Sequence, residues 1–146
     1  MTTTTAVTTA RSRQRLGRLV DVALFAWGAA AATVLVTNGL NDARQAPGWP
    51  RWLELTYLVG VLLAVPALLL AGWAKSRLKK LGAVLEDERT EATHTRSMAT
   101  ALVGVLAVQL PFFFRVETAS VAQAKFTVAA ALLTYGAARL WFNRDA

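Results

Sequence analysis

The chain has no cysteine, a single histidine and only nine acidic residues among its 146. Without cysteine there is no disulfide framework and no thiolate metal site. One histidine excludes centres built from several imidazoles. Charge is also scarce, at 17% of residues, where a soluble domain carries about 25%. The scarcity is local. No charged residue falls between Val22 and Asn41, between Leu55 and Ala74, between Ser97 and Phe114, or between Phe126 and Ala138. Charge-free runs near twenty residues match a hydrocarbon layer of about 30 Å at about 1.5 Å rise per residue. The runs are apolar nearly all round, whereas a soluble helix keeps a polar face at the 3.6-residue period.

These runs predict an all-α integral membrane bundle of four transmembrane helices. The expected spans are about 19–38, 52–74, 98–114 and 121–142. Residues 18–146 form the membrane domain, with a cytoplasmic loop at 75–96. Basic residues set the orientation. Arg11, Arg13, Arg15 and Arg18 precede the first span, and Lys75, Arg77, Lys79, Lys80, Arg89 and Arg96 lie in the middle loop. Only Arg44 and Arg51 lie in the first outer loop. Both termini are therefore expected in the cytoplasm, with the chain crossing the inner membrane several times. Trp52, Trp73 and Trp141 fall at span ends, where interfacial aromatics belong.

The N-terminal stretch 1–17 is rich in Thr and Arg and has no acid. It reads as a disordered cytoplasmic tail. The apolar run behind it is too long for a signal-peptide core, which predicts a retained signal anchor. The formal net charge of +7 does not point to nucleic acid. The basic residues hug the span ends, where they set topology and meet anionic lipid.

Small residues recur four apart at Gly28 and Ala32, Gly60 and Ala64, and Ala67 and Ala71. Such faces let helix backbones approach closely in lipid. Pro66 and Pro111 are placed to kink the second and third spans. No span carries a charge near its middle, which weakens an ion-coupled transporter with a midplane site. No P-loop, G-x-S-x-G or H-E-x-x-H motif is present, so no enzymatic activity is expected. Glu91 and His94 have the Glu-x-x-His spacing of di-iron bundles, but those need a second such pair. No metal or cofactor is expected.

Ionisable residues inside spans are functional candidates. Asp21 and Arg139 lie about one turn inside the cytoplasmic ends of the first and fourth spans. They are placed to pair, either as a proton or substrate relay or as an ion pair fixing helix register. Their closeness to the interface favours the second. Glu54, Gln109 and Lys125 occupy the outer side. They are placed to line a shallow outward pocket and equally to snorkel to water.

The stretch "LEDERTEATHTRSMATA", residues 85–101, joins a charged segment to an apolar one without a break. On a helix extending the third span into water, Asp87, Glu91, His94 and Met98 share one face. Asp87 and Glu91 repel at i,i+4. A solvated connector gains nothing from that, whereas an acidic face beside a basic partner does. With "DERT" at Asp87, Glu88, Arg89 and Thr90, then Arg96 and the small Ala99, the chain resembles an uncharacterised bacterial family of small four-helix membrane proteins. That family carries a D-E-R-[TE] motif in the cytoplasmic loop before the third span. The chain departs from its pattern at His94 and the polar run around it, where the family is more basic. The resemblance implies a gene beside a small DNA-binding regulator, as in similar two-gene systems where a small membrane protein restrains the regulator. The resemblance implies a partner-docking face made by Asp87, Glu88, Arg89, Glu91 and His94. The expected function is non-enzymatic: binding or restraining a cytoplasmic transcriptional regulator through the 75–96 loop. A small transporter or export subunit, or an accessory subunit of a larger membrane complex, is the alternative. The expected surroundings are the lipid bilayer, and a homodimer is compatible with this layout.

Overall fold

The structure is a computed structural model that describes residues 3–44, 47–80, 88–113 and 120–144. Among these residues it is all helical. The elements are α1 (Thr3–Arg44), α2 (Arg51–Lys80), α3 (Glu88–Phe113) and α4 (Ser120–Phe142). Two segments are long and apolar enough to cross a membrane: Gln14–Arg44 of α1, and α2.

Each helix runs past its expected span. α1 begins at Thr3, where the sequence predicts a disordered tail over 1–17. A helix already nucleated by its apolar part extends at low cost, and Ala, Arg and Gln offset the weaker propensity of Thr. At 42 residues, α1 is about 63 Å long, twice a hydrocarbon layer. The expected loop at 75–96 is also shorter than predicted: α2 continues to Lys80 and α3 starts at Glu88. Pro66 sits inside α2 without ending it. Pro50 marks the start of that helix, where its carbonyl accepts hydrogen bonds from the amides of Leu53 and Glu54 at 2.9 and 3.1 Å.

The packing is an open row. α1 touches α2 and α4, and α3 touches α4 alone. Among the described residues α2 and α3 do not meet, so the expected bundle is not closed. The outer faces of the row are rich in leucine and valine.

Small residues fill the interfaces. The buried apolar side chains are mostly alanines: Ala23, Ala30, Ala32, Ala71, Ala74, Ala101, Ala122, Ala129 and Ala138. Leu62, Leu69, Val103 and Leu110 are all more than 60% exposed. A water-soluble core has the opposite arrangement. Glycines set the closest approaches. A Cβ on Gly60 would lie 2.9 Å from Val34 Cγ2 and 3.2 Å from the Ala30 carbonyl, so α1 and α2 meet backbone to backbone there. A Cβ on Gly136 would lie 2.9 Å from the Phe25 ring, and one on Gly104 would overlap the Thr134 side chain. Hydroxyls are absorbed locally. Thr33, Thr37, Ser97 and Thr134 each donate to the carbonyl four residues back, as apolar surroundings require.

Candidate functional site

The contacts pair neighbouring helices antiparallel and so define two ends. One end gathers the start of the apolar part of α1, the end of α2, the start of α3 and the end of α4. There Val20 packs on Ala74 and Leu78, Asp21 meets Arg139, and His94 meets Tyr135.

Asp21 and Arg139 are joined directly, with Arg139 Nε donating to Asp21 Oδ1 at 2.7 Å. Asn143 Nδ2 donates to the other carboxylate oxygen at 2.8 Å. Arg139 Nη1 donates to the Tyr135 hydroxyl oxygen at 3.2 Å. His94 Nδ1 lies 2.8 Å from the same hydroxyl. One hydroxyl oxygen of Tyr135 thus bridges Arg139 and His94. The rings meet edge to face, with centroids 5.7 Å apart. This network ties α1, α4 and α3 together. It does not conduct protons from Asp21 to His94, because a guanidinium stays protonated. Its chemistry is that of a clamp.

Tyr135 and Asn143 were not singled out in the sequence. They stand four residues before and after Arg139, so one face of α4 and of the turn that follows it carries all three. Two further contacts lie at this end. Arg18 donates to the Arg144 carbonyl at 2.7 Å. Arg77 and Arg144 lie over the rings of Trp73 and Trp141, at 5.5 and 4.1 Å.

The docking residues expected before the third span divide. Asp87 lies outside the described residues. Glu88 and Arg89 open α3, and their side chains are outside the described set. Glu91 is exposed, as are Ala92, Thr95 and Arg96. His94 is exposed too but is turned onto Tyr135. Thr93 and Ser97 are buried.

At the other end the three residues expected to share an outward pocket are dispersed. Lys125 pairs with Asp42 at 2.6 Å, linking α4 to α1. Gln109 donates to the Thr127 hydroxyl and accepts from Gln123 at 2.5 Å, linking α3 to α4. Glu54 lines a different space. It borders an open cavity of about 540 Å³ with Asn38, Trp49, Tyr57 and Leu58. Antiparallel helices on a row hold these groups apart: Glu54 sits on α2 and Gln109 on α3, which do not touch. Asn41, one turn beyond Asn38, keeps a buried Oδ1 with no hydrogen-bond partner among the described residues.

Among the described residues no group of three or more His, Asp or Glu side chains converges as a metal site would. No family model, curated protein or solved structure matches the chain.

Proposed function

We propose that the chain is a non-enzymatic, four-span protein of the bacterial inner membrane, with both termini in the cytoplasm, that docks a cytoplasmic regulator at the start of α3. The membrane part is supported by the alanine interior and the leucine and valine exterior. Contiguous apolar surface on this scale needs lipid or protein against it. The orientation is supported by the helix ends. Arg15, Arg18, Lys75, Arg77, Lys79, Lys80, Arg96, Arg139 and Arg144 belong to the clamp end of the row, and Arg44, Arg51 and Lys125 to the other.

The observation that carries docking is the exposed polar surface of Glu91, Thr95 and Arg96 at that basic end. Among the described residues it stands on a helix that leans on α4 alone, which leaves its outer side open. The resemblance of the "DERT" stretch to the regulator-linked family gives the partner its class. A charged docking face acts through steering and specificity, so the complex should dissociate with rising salt.

The test exchanges Asp87 and Glu91 for lysine. Membrane insertion should be unchanged, because both positions lie beyond the apolar run. Co-purification of the regulator from gently solubilised membranes should be lost, and the transcription it controls should change. Retained co-purification with unchanged transcription would reduce the stretch to a connector.

The cavity beside Glu54 favours a second reading, a small transporter or export subunit. That reading draws no help from Gln109 or Lys125, which belong to other contacts.

A further inference from the structure

We infer that the cavity between the end of α1 and the start of α2 binds a small organic cation, an amine or quaternary ammonium group. The site stands at the opposite end of the row from the proposed docking surface and does not depend on it.

The geometry starts with the loop. Gly48 has φ of 81°, a left-handed conformation that L side chains resist. That turn, held between Pro47 and Pro50, delivers Trp49 beside the first turns of α2. There the indole meets Tyr57 edge to face, with centroids 5.3 Å apart and planes at 72°. Both rings line one space, and the face of an aromatic ring carries negative potential. Glu54 borders the same space one turn before Tyr57, and Asn38 adds an amide from α1. Two aromatic rings, one carboxylate and one amide make a cation receptor. The ring quadrupoles attract positive charge spread over methyl or methylene groups. The carboxylate supplies the counter-charge and repels anions.

Competing occupants fit less well. A divalent metal would find one carboxylate and two rings that do not ligate it. A neutral apolar molecule would gain from the rings but not from Glu54. The protein's own cations are placed elsewhere. Arg77 and Arg144 cover Trp73 and Trp141, and Lys125 is held by Asp42. Among the described residues no basic side chain stacks on Trp49 or Tyr57, and none pairs with Glu54, although Arg44 and Arg51 lie close in sequence. The volume, about 540 Å³, is in the range of small-molecule sites. The same ammonium chemistry comes from two sources at a membrane surface, a free solute or an aminolipid headgroup.

Radiolabelled choline is a suitable probe, applied to the full chain in nanodiscs of phosphatidylglycerol, which has no ammonium group. Saturable binding is expected. Glu54→Gln should weaken it at least tenfold and leave the unfolding midpoint unchanged. Trp49→Ala should abolish it, and Trp49→Phe should retain part. The uncharged isostere 3,3-dimethyl-1-butanol should not displace choline. Adding phosphatidylethanolamine to the nanodisc separates the sources: competition assigns the site to a lipid headgroup, and no competition assigns it to a free amine. The inference is overturned if choline does not saturate, if Glu54→Gln binds as tightly as the parent, or if the neutral isostere displaces it equally. The measurement uses purified protein, so it does not depend on orientation in the membrane or on any cytoplasmic partner.

Discussion

The Asp21 carboxylate accepts from Arg139 on α4 and from Asn143 just past its end, and that arrangement sets what its removal does. With Asp21 gone, Arg139 keeps Tyr135 but loses its counter-charge in a setting where its side chain is 23% exposed. With Arg139 gone, Asp21 keeps only Asn143. Each single change to alanine should lower stability in detergent. The double change should cost less than the sum, with coupling of about 0.5–3 kcal/mol. Chemical or thermal unfolding of the four proteins in one detergent measures it, and strict additivity would mean that the contact contributes nothing. Tyr135→Phe is the milder probe. It keeps the ring against His94 and removes the shared hydroxyl. The expected cost is about 0.5–1.5 kcal/mol, the usual net worth of a hydrogen bond. Charges at matching depth made Asp21 and Arg139 legible in the sequence, and the four-residue period extends to Tyr135 and Asn143. The partners across the row were not legible. Nothing local says that Lys125 meets Asp42 rather than Glu54, because that depends on which helices are neighbours.

Helix contacts in this chain are set by where a side chain is missing. Gly104 lies against Thr134, whereas Gly72 has no atom within 4 Å of a built Cβ. Gly104→Leu should therefore push α3 off α4 and cost about 1–3 kcal/mol, as overpacking does. Gly72→Leu, on the exposed side of α2, should be neutral or slightly stabilising, because it removes only the entropic penalty of glycine in a helix. Equal effects from the two substitutions would contradict the packing. Unfolding midpoints, or crosslinking between cysteines placed on α3 and α4, distinguish the outcomes. The four apolar runs were plain in the sequence, and each corresponds to a helix. The helix ends were less plain. α1 runs back through the threonine tract and α3 starts at Glu88, because a helix stops where capping, proline or glycine stops it, not where an apolar run ends. The pairing of Trp49 with Tyr57 was hidden as well. It depends on a left-handed turn at Gly48 that brings a loop residue back onto the following helix.

The molecule as a whole is a layer one helix thick, with the clamp and the basic end on one side and the cation cavity on the other. Among the described residues, α2 and α3 keep exposed leucine and valine on their outer faces, and the first turns of α3 are exposed at Glu91, Ala92, Thr95 and Arg96. For docking to occur in the cytoplasm, the clamp end must face inward. The natural absence of cysteine makes that directly measurable. Single cysteines are placed at Gly48, Ala92 and Ala119, and intact cells are treated with a membrane-impermeant thiol reagent. Gly48 belongs to the cavity end, Ala92 is exposed on the first turns of α3, and Ala119 lies outside the described residues, just before α4. Labelling is expected at Gly48 and Ala119, and none at Ala92 until the cells are opened. Labelling of Ala92 in intact cells would place the start of α3 outside and contradict a cytoplasmic docking role.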